Sequence, residues 1–269
     1  MEYAIQETNA KSILVRSRLP GVDYVINAYT GCVHGCAYCY ANFMGKFSGH
    51  REPWGRYTDI KINAPLLLKK EMARSRPGRI MMSSVTDPYN QLENKYGLTR
   101  QILEILLDYQ WPLSILTKSS LIVRDIDLLK EFKNCDIGFS FMSLDDKVIR
   151  DFEPHTSLAS DRIRAISQLV DNGLSVYAFV APILPYISNL PDIFRRLSQT
   201  KINLIYCDGF NYRTGSRESA VVSIVKDKYP QLWPKFKIAY KNGVYWQKMA
   251  KEIRNLASHY SLETKVFFG

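Results

Sequence analysis

Short apolar segments alternate with amphipathic helical patterns along most of this chain, and that alternation limits the fold more than any other feature. Six runs rich in Val, Ile, Phe, Tyr and Met resemble strands that are buried on both faces: 24–28, 79–84, 113–117, 136–141, 174–181 and 202–207. Helical patterns separate them at 66–73, 99–109, 124–132, 160–172 and 189–200. Repeated strand–helix–strand units imply a parallel sheet with right-handed crossovers. The sequence therefore predicts an α/β fold, either an incomplete barrel or an open doubly wound sheet, with functional residues at the carboxyl ends of the strands.

Composition narrows the class of protein. The chain has 269 residues, 46% of them apolar, which excludes a disordered chain. Its longest apolar run, Tyr177–Ile187, contains two prolines and is too short to cross a bilayer. No secretory signal precedes the first strand, and only five cysteines are present. We therefore expect a cytoplasmic protein that does not contact membranes and whose cysteines bind a ligand rather than form disulfides.

Three segments are predicted along the chain. The repeated strand and helix units fill a core of residues 22–217, which a short N-terminal accessory segment, 1–21, precedes. A helical accessory segment, 218–269, follows it. The apolar stripe of its last helix, which includes Met249 and Ile253, predicts packing against the core.

Three of the five cysteines, Cys32, Cys36 and Cys39, form a C-x3-C-x2-C motif after the first predicted core strand. Thiolates select zinc, copper(I) or iron–sulfur clusters. A zinc site with His34 as the fourth ligand is one interpretation, although one short loop is poorly suited to deliver four tetrahedral ligands. Three thiolates fit a four-iron cluster better, because one iron then keeps an open and reactive position. The motif favours the cluster.

Several motifs together resemble the radical S-adenosylmethionine (SAM) superfamily, and within it the branch related to spore photoproduct lyase. The resemblance covers about residues 22–210 and implies a partial (β/α)6 barrel of the TIM type. The motifs that carry it are Tyr29-x-Gly-Cys-x-His-Gly-Cys-x-Tyr-Cys-Tyr-Ala41, Thr86-Asp87-Pro88-Tyr89 with Glu93, Leu116–Ser119 with Arg124–Leu129, Arg150-x-x-Glu153-Pro154 and Pro182–Pro185.

The resemblance implies that Cys32, Cys36 and Cys39 hold a [4Fe–4S] cluster whose fourth iron binds the amino and carboxylate groups of SAM. An external donor resembling flavodoxin or ferredoxin would reduce the cluster. One electron then cleaves the sulfonium C–S bond, which yields methionine and a 5′-deoxyadenosyl radical that takes a hydrogen atom from the substrate. The cofactors carry this chemistry, and the protein positions them.

Positions at the predicted strand ends, combined with the resemblance, imply roles for further residues. Tyr38 would lie against the adenine of SAM and take part in catalysis, and Lys118 would pair with the SAM carboxylate. The SAM amino group would bind Ser84, Thr86 and Asp87. Ser140 would hydrogen-bond to the ribose, and Glu153 would belong to a polar network around the cofactor.

The chain departs from the spore photoproduct lyases at one position. Ser84 stands where those enzymes have a cysteine that returns a hydrogen atom to the product, and an O–H bond is too strong for that step. Cys207 ends the sixth predicted strand, so we expect it to face the mouth of the barrel and to be a candidate catalytic thiol.

The sequence leaves three candidate functions open. The net charge of +10, with a basic and aromatic stretch at 226–254, favours a radical SAM enzyme that acts on a nucleic acid. The alternative enzyme modifies a small molecule or a peptide, which includes transfer of the aminocarboxypropyl group of SAM. A third interpretation is a binding protein that a metal stabilises without catalysis.

Overall fold

The computed structural model describes residues 3–210 and 217–268, and a sheet of eight strands lies at its centre. In chain order, the six parallel core strands are β3 (Tyr24–Ile26), β6 (Ile80–Met82), β7 (Leu113–Thr117), β8 (Cys135–Phe141), β9 (Ser175–Ile183) and β10 (Leu204–Gly209). Each pairs in parallel with the next in the chain. A doubly wound sheet would reverse its order at a switch point. The sequential order confirms the α/β fold and selects the partial barrel.

Strands at both edges extend this sheet. β2 (Leu14–Arg16) pairs antiparallel with β3, and β11 (Glu263–Val266) pairs in parallel with β10. A second, three-stranded sheet places β5 (Tyr57–Lys61) between β1 (Ala4–Thr8) and β4 (Tyr29–Gly31). The predicted C-terminal accessory segment thus contains a strand of the main sheet as well as helices. Residues 211–216, at the end of the predicted core, lie outside the described residues.

Helices connect the strands and cover the sheet. They are α1 (Gly45–Ser48), α2 (Ala64–Met72), α3 (Glu93–Tyr96), α4 (Leu98–Leu107), α5 (Ile126–Leu129), α6 (Asp146–Phe152), α7 (Ala159–Asp171), α8 (Leu190–Ser198), α9 (Glu218–Lys228), α10 (Trp233–Ala239) and α11 (Gly243–His259). Two 3-10 helices cover Tyr40–Met44 and Ser120–Asp125. Of the helix expected at 124–132, the second 3-10 helix takes the first two residues and α5 the next four, and the expected last three residues are not helical. The sequence pattern also missed α6, which Asp145 caps by accepting the Lys147 amide at 2.8 Å. Across the described ranges, no helix combines the length and apolarity needed to cross a membrane.

The two faces of the sheet differ in what they contact. Ile137 and Phe139 of β8 are fully buried in the main hydrophobic core. Gly138 alternates with them and lies beneath the Tyr177 ring of β9, where an added Cβ would come within 2.4 Å of that ring. Because successive strand residues point to opposite faces, Gly138 and Ser140 belong to the concave face of the barrel. Aromatic side chains therefore line part of the barrel interior.

Gly31 immediately precedes Cys32, and its surroundings leave no room for a side chain. Its φ is +83°, and an added Cβ would lie 2.4 Å from the Tyr57 carbonyl oxygen. We expect Gly31→Ala to lower the free energy of unfolding by about 2–4 kcal/mol, because backbone strain and a collision with backbone act together. Denaturant titration measures this loss.

Gly49→Ala is the matched control. Gly49 has a φ of +75° and no atom within 4 Å of an added Cβ, so only backbone strain contributes. We expect a loss of about 1 kcal/mol. Equal losses in the two variants would contradict the close packing of β4 against β5.

Candidate active site

A cavity that is partly open to solvent lies at the carboxyl ends of β6, β7 and β8, with about 590 Å³ of empty space that includes the open part. The cysteine loop that follows β4 closes one side of it. Its lining comprises Cys32, His34, Cys36, Cys39, Tyr40, Ala41, Met81, Ser83, Ser84, Val85, Thr86, Asp87, Leu116, Thr117, Lys118 and Ser140. Three thiols, one ammonium and several hydroxyls thus line one cavity.

The cysteine loop is built from two consecutive turns. The Gly35 amide donates to the Cys32 carbonyl at 3.3 Å, and the Cys39 amide donates to the Cys36 carbonyl at 3.2 Å. Gly55 packs against Gly35 so closely that an added Cβ on Gly55 would lie 2.7 Å from the Gly35 Cα. This contact lets the segment before β5 cover the loop.

The three thiols suit a cluster that they would hold together. Burial, reinforced by the negative charge of Asp87, raises the pKa of Cys32 to about 12. Burial also raises the pKa values of Cys36 and Cys39. All three cysteines are free thiols that line the same cavity. Binding of metal would therefore displace protons from neutral thiols.

Trp54 independently tests whether the site around these thiols fits a cluster. Its indole N–H is buried without an oxygen or nitrogen partner, and the ring packs in one apolar cluster with Cys32 and Cys39. An indole N–H directed at a thiolate satisfies a donor that would otherwise be unpaired, and such hydrogen bonds tune iron–sulfur centres. Within residues 3–210 and 217–268, no three His, Cys, Asp or Glu side chains are arranged around a single metal ion. All three cysteines line one cavity, and cysteine thiolates are the ligands that hold iron–sulfur clusters.

Asp87 organises the wall of the cavity between β6 and β7. Its carboxylate accepts the Thr117 hydroxyl at 2.7 Å, the Lys118 amide at 2.8 Å and the Tyr89 amide at 2.9 Å. The Nδ1 atom of His34 lies 3.5 Å away. Asp87 thus fixes the ends of two strands and the cysteine loop relative to one another.

Hydrogen bonds to other parts of the protein also hold the hydroxyl residues of the cavity lining. The Asn27 side-chain oxygen accepts the amides of Ser84 and Val85 at 3.0 and 3.1 Å. The Thr86 hydroxyl donates to the Gly31 carbonyl at 2.8 Å. The Ser140 hydroxyl donates to the Ala181 carbonyl at 3.3 Å. The segment after β6 is therefore shaped before any ligand binds.

Lys118 projects from the end of β7 and is half-buried. Its ammonium lies 5.7 Å from the centre of the Tyr38 ring. Among the described residues, no carboxylate comes within salt-bridge distance of it. Burial opposes the charge, but the Cys36 sulfur and the Glu153 carboxylate outweigh burial and raise the Lys118 pKa. The side chain is a protonated cation available to an anionic ligand.

Behind the cavity wall, Tyr38, Glu153 and Arg162 form a buried network. The Tyr38 hydroxyl and the Arg162 guanidinium both donate to the Glu153 carboxylate. Arg162 also donates to the Ser140 carbonyl at 2.7 Å and to the Thr156 hydroxyl at 2.6 Å. Burial favours the neutral acid, yet the charges of Arg162 and Lys118 lower the Glu153 pKa. The network joins the cysteine loop to the end of β8.

The structure brings most of the predicted site residues together. Eight of them line the cavity: Cys32, Cys36, Cys39, Ser84, Thr86, Asp87, Lys118 and Ser140. Tyr38 and Glu153 contact each other beside it. Their roles toward SAM stay predictions.

Cys207 differs from its expected place. It is fully buried in the main core with Ile205 and with Ile253 of α11, and it does not line the cavity. Its neighbour Tyr206 contacts Tyr177 on the concave face, so Cys207 points to the opposite face of β10. Cys207 is absent from the mouth of the barrel because of the face of β10 on which it lies, not because of its place along the strand.

The sequence patterns did not identify Arg162, Trp54 or Asn27 as site residues. A signal for Arg162 existed, because it lies on the apolar stripe of α7 with Ala159, Ile163 and Ile166, all of them buried. An arginine on such a stripe indicates a buried ion pair. Trp54 and Asn27 lie in irregular segments that carry no comparable pattern.

Replacement of Glu153 tests the network. A carboxyl whose pKa is lower in the folded state stabilises the fold above its unfolded pKa of about 4.3, and the contribution is lost as pH falls through the folded value. We expect Glu153→Gln to cost about 3–5 kcal/mol at neutral pH, because it leaves Arg162 buried without its counter-ion. The loss should shrink as pH falls below about 4, which denaturation at several pH values would reveal.

The exposed pair of Asp161 and Arg164 provides the comparison. We expect Asp161→Asn to cost less than about 1 kcal/mol, since solvent screens surface pairs. If Glu153→Gln were as mild, the buried network would not support the fold.

Comparison with known proteins gives a consistent result. The family model "Radical SAM superfamily" matches residues 26–194. An uncharacterised protein of Methanocaldococcus jannaschii is 38% identical over 216 residues, which cover 80% of each chain. The radical SAM Nα-GlyT isomerase of Pseudomonas phage M6 is 28% identical over 171 residues, covering 62% of this chain and 35% of the isomerase. Spore photoproduct lyase complexed with dinucleoside spore photoproduct shares the fold at a TM-score of 0.70 and 16% identity, covering 97% of this chain and 81% of that one. This chain belongs to the radical SAM superfamily.

Proposed function

We propose that this enzyme holds a [4Fe–4S] cluster through Cys32, Cys36 and Cys39 and cleaves SAM reductively to act on a nucleic acid. The observation that carries the proposal is that the three thiols and the unpaired ammonium of Lys118 line one cavity at the strand ends. Membership of the superfamily supplies the cofactors, a cluster and SAM. When they are bound, they supply the one-electron cleavage of a C–S bond.

The residues of this chain bind and orient SAM and shield the cysteine thiols from water. Lys118 offers a charge-assisted hydrogen bond to the SAM carboxylate. The Tyr38 ring lies against the Lys118 ammonium, and the bond from its hydroxyl to Glu153 fixes the ring's position beside the cysteine loop. Thr86 and Asp87 hold the wall that faces the cavity. Trp54 and the segment that covers the loop keep water away from the thiols.

Two observations support a nucleic acid as the substrate. The chain carries 36 basic and 26 acidic residues, a formal net charge of +10, which favours a polyanion. A solved structure with this fold holds a dinucleoside photoproduct. The basic stretch at 226–254 contributes less than its composition suggests, because Phe236 and Tyr240 are buried and cannot stack on bases.

Iron content is the first test. We expect anaerobically reconstituted protein to be brown, to carry about four irons per chain and to cleave SAM with dithionite. Alanine at any one of Cys32, Cys36 and Cys39 should remove the cluster. Cys135→Ala is the control, since Cys135 is buried in the core away from the cavity. Stoichiometric zinc without visible absorbance would refute the proposal.

Lys118→Ala tests the SAM site. We expect the iron content to remain and the affinity for SAM, measured by calorimetry, to fall about ten- to a hundredfold. A lost charge-assisted hydrogen bond is worth roughly 1.5–3 kcal/mol. Lys133, which is exposed and does not line the cavity, gives the control variant Lys133→Ala. Unchanged affinity in Lys118→Ala would place the SAM carboxylate elsewhere.

Salt dependence tests the substrate class. We expect binding of a single-stranded oligonucleotide to weaken linearly on a plot of log affinity against log salt, because lysine and arginine contacts release counter-ions. A neutral dinucleoside should show little salt dependence. Binding that salt does not change, or no binding, would favour the small-molecule or peptide alternative.

A further inference from the structure

Two tyrosine rings meet at one end of the barrel, in a position that solvent reaches. Tyr186 lies in the loop after β9 and is 50% exposed, and Tyr245 lies in the first turn of α11 and is half-buried. Their ring centroids are 5.7 Å apart, with an angle of 51° between the ring planes. We call this pair the tyrosine platform. Neither residue belongs to the lining of the cavity, so a ligand held there leaves the platform free.

The platform lies at the same end of the barrel as the cavity. β9 ends at Ile183, three residues before Tyr186. Trp246, which follows Tyr245, covers the last residue of β10, because an added Cβ on Gly209 would lie 3.0 Å from the indole ring. The carboxyl ends of parallel strands meet at one edge, and the cavity opens at those of β6, β7 and β8. A chain-like ligand with one unit in the cavity therefore has the platform on its own side of the molecule.

The backbone holds Tyr186 toward solvent at a cost in free energy. Its φ is +62°, a left-handed conformation that bulky side chains rarely adopt. Leu184 and Ile187, on either side of it, are buried in a hydrophobic cluster. The Leu184 carbonyl accepts the amides of Ile187 and Ser188 at 3.1 and 2.9 Å, which closes the loop. Strain that the surrounding structure maintains in this way concentrates at ligand sites.

Unpaired cations lie next to the platform on α11. Val244, Lys248 and Lys251 are exposed and lie three or four residues apart, so they share the outer face of the helix. Neither lysine forms a salt bridge with any residue that the structure describes. Tyr245 precedes Lys248 by three residues, which brings the platform against this face. Residues 233–260 contain six basic residues and one acidic residue, a balance of 6 − 1 = +5.

This combination of groups favours a nucleic acid over an acidic protein. Aspartate and glutamate side chains would pair with the lysines but would leave the exposed rings without a flat partner. A nucleic acid presents phosphates and base faces in alternation, so it engages both kinds of side chain. The bases must be unpaired, because a duplex keeps their faces stacked inside it. The ligand that fits is therefore a single strand.

We propose that Tyr186 and Tyr245, together with Lys248 and Lys251, bind unpaired nucleotides that flank the reacting nucleotide. The inference rests on the proposed function, a nucleic-acid substrate whose target nucleotide occupies the cavity. Bases stack on the two rings, and the lysines contact the phosphates between them. The surface thereby selects single-stranded over duplex nucleic acid.

Binding to two oligomers of equal charge tests the platform. The reconstituted enzyme is titrated with a fluorescein-labelled oligothymidylate and with an abasic oligomer of the same length, which has the phosphates but no bases. The variants are Tyr186→Leu, which keeps an apolar side chain at the same φ, and Tyr186→Phe, which keeps the ring. Tyr109→Leu is the matched control, because Tyr109 is a half-buried ring with its centroid 6.2 Å from that of Trp111, before β7 at the opposite end of the barrel. Iron content checks that each variant keeps its cluster site.

We expect Tyr186→Leu to bind oligothymidylate about tenfold more weakly than wild type, because it loses a stacked base. Tyr186→Phe and Tyr109→Leu should bind it like wild type. The affinity for the abasic oligomer should be the same in all four proteins. Annealing the oligothymidylate to its complement should weaken its binding to wild type.

Salt dependence tests the lysines separately. Lys248→Gln should lower the slope of log affinity against log salt by about 0.7, because one phosphate contact with a single strand is lost. Lys133→Gln, at an exposed lysine before β8, should leave the slope unchanged. If Tyr186→Leu fails to retain iron, this slope decides the question alone.

Each contrary result has a separate meaning. Equal affinity of wild type and Tyr186→Leu for oligothymidylate would overturn the inference while the proposed function stands. An unchanged salt slope in Lys248→Gln would do the same. Binding of polyglutamate that is tighter than that of oligothymidylate, and is lost in Tyr186→Leu, would assign the surface to an acidic protein and overturn the inference. A wild-type enzyme that binds neither oligomer would instead refute the nucleic-acid substrate of the proposed function.

Discussion

The buried ion pair of Glu153 and Arg162 holds the site together. Both side chains are fully buried, and each also bonds to a different part of the molecule. Glu153 accepts the Tyr38 hydroxyl from the cysteine loop, and Arg162 donates to the Ser140 carbonyl at the end of β8. Burying two charges costs several kcal/mol, which close geometry and additional hydrogen bonds must offset. The pair accordingly specifies how the loop meets the sheet more than it adds stability.

A backbone contact reinforces this connection. The Ala37 amide donates to the Phe152 carbonyl at 2.8 Å, one residue before Glu153. The loop is thus tied to the end of α6 through main chain and side chain together. On the opposite side, Asp87 ties the loop to β6 and β7 through His34, Thr117 and Lys118. A loop with two anchors can present three thiols in a fixed arrangement, which a cluster requires.

The two sides of the cysteine loop have different surroundings. Toward the barrel, the thiols share a cavity with hydroxyls and the Lys118 ammonium. Toward solvent, Cys39 is followed by exposed rings and basic side chains. The polar groups on the cavity side suit a small charged ligand.

The sequence by itself determined the α/β class with a parallel sheet and the grouping of the three thiols, whereas the order of the strands came from the structure. Alternating periods of strand and helix allow few topologies, and three cysteines in eight residues must be neighbours in space. Asp87, Lys118 and Ser140 lie at the ends of predicted strands, so the sequence predicted them at one edge of the sheet, because the carboxyl ends of parallel strands meet there. The short helix α6 was missed, since seven residues give too little of a helical period to recognise.

Only the tertiary structure decided which face of a strand a residue occupies. Leu204, Ile205 and Tyr206 put apolar side chains on both faces of β10, so they do not indicate which face is inward; the structure places Cys207 in the core. Arg162 and Glu153 are nine residues apart, on α7 and just after α6, and only packing shows that they pair. The position of Trp54 against Cys39 depends on an irregular segment folding over the loop. Such contacts arise from packing between distant segments, which local periodicity does not encode.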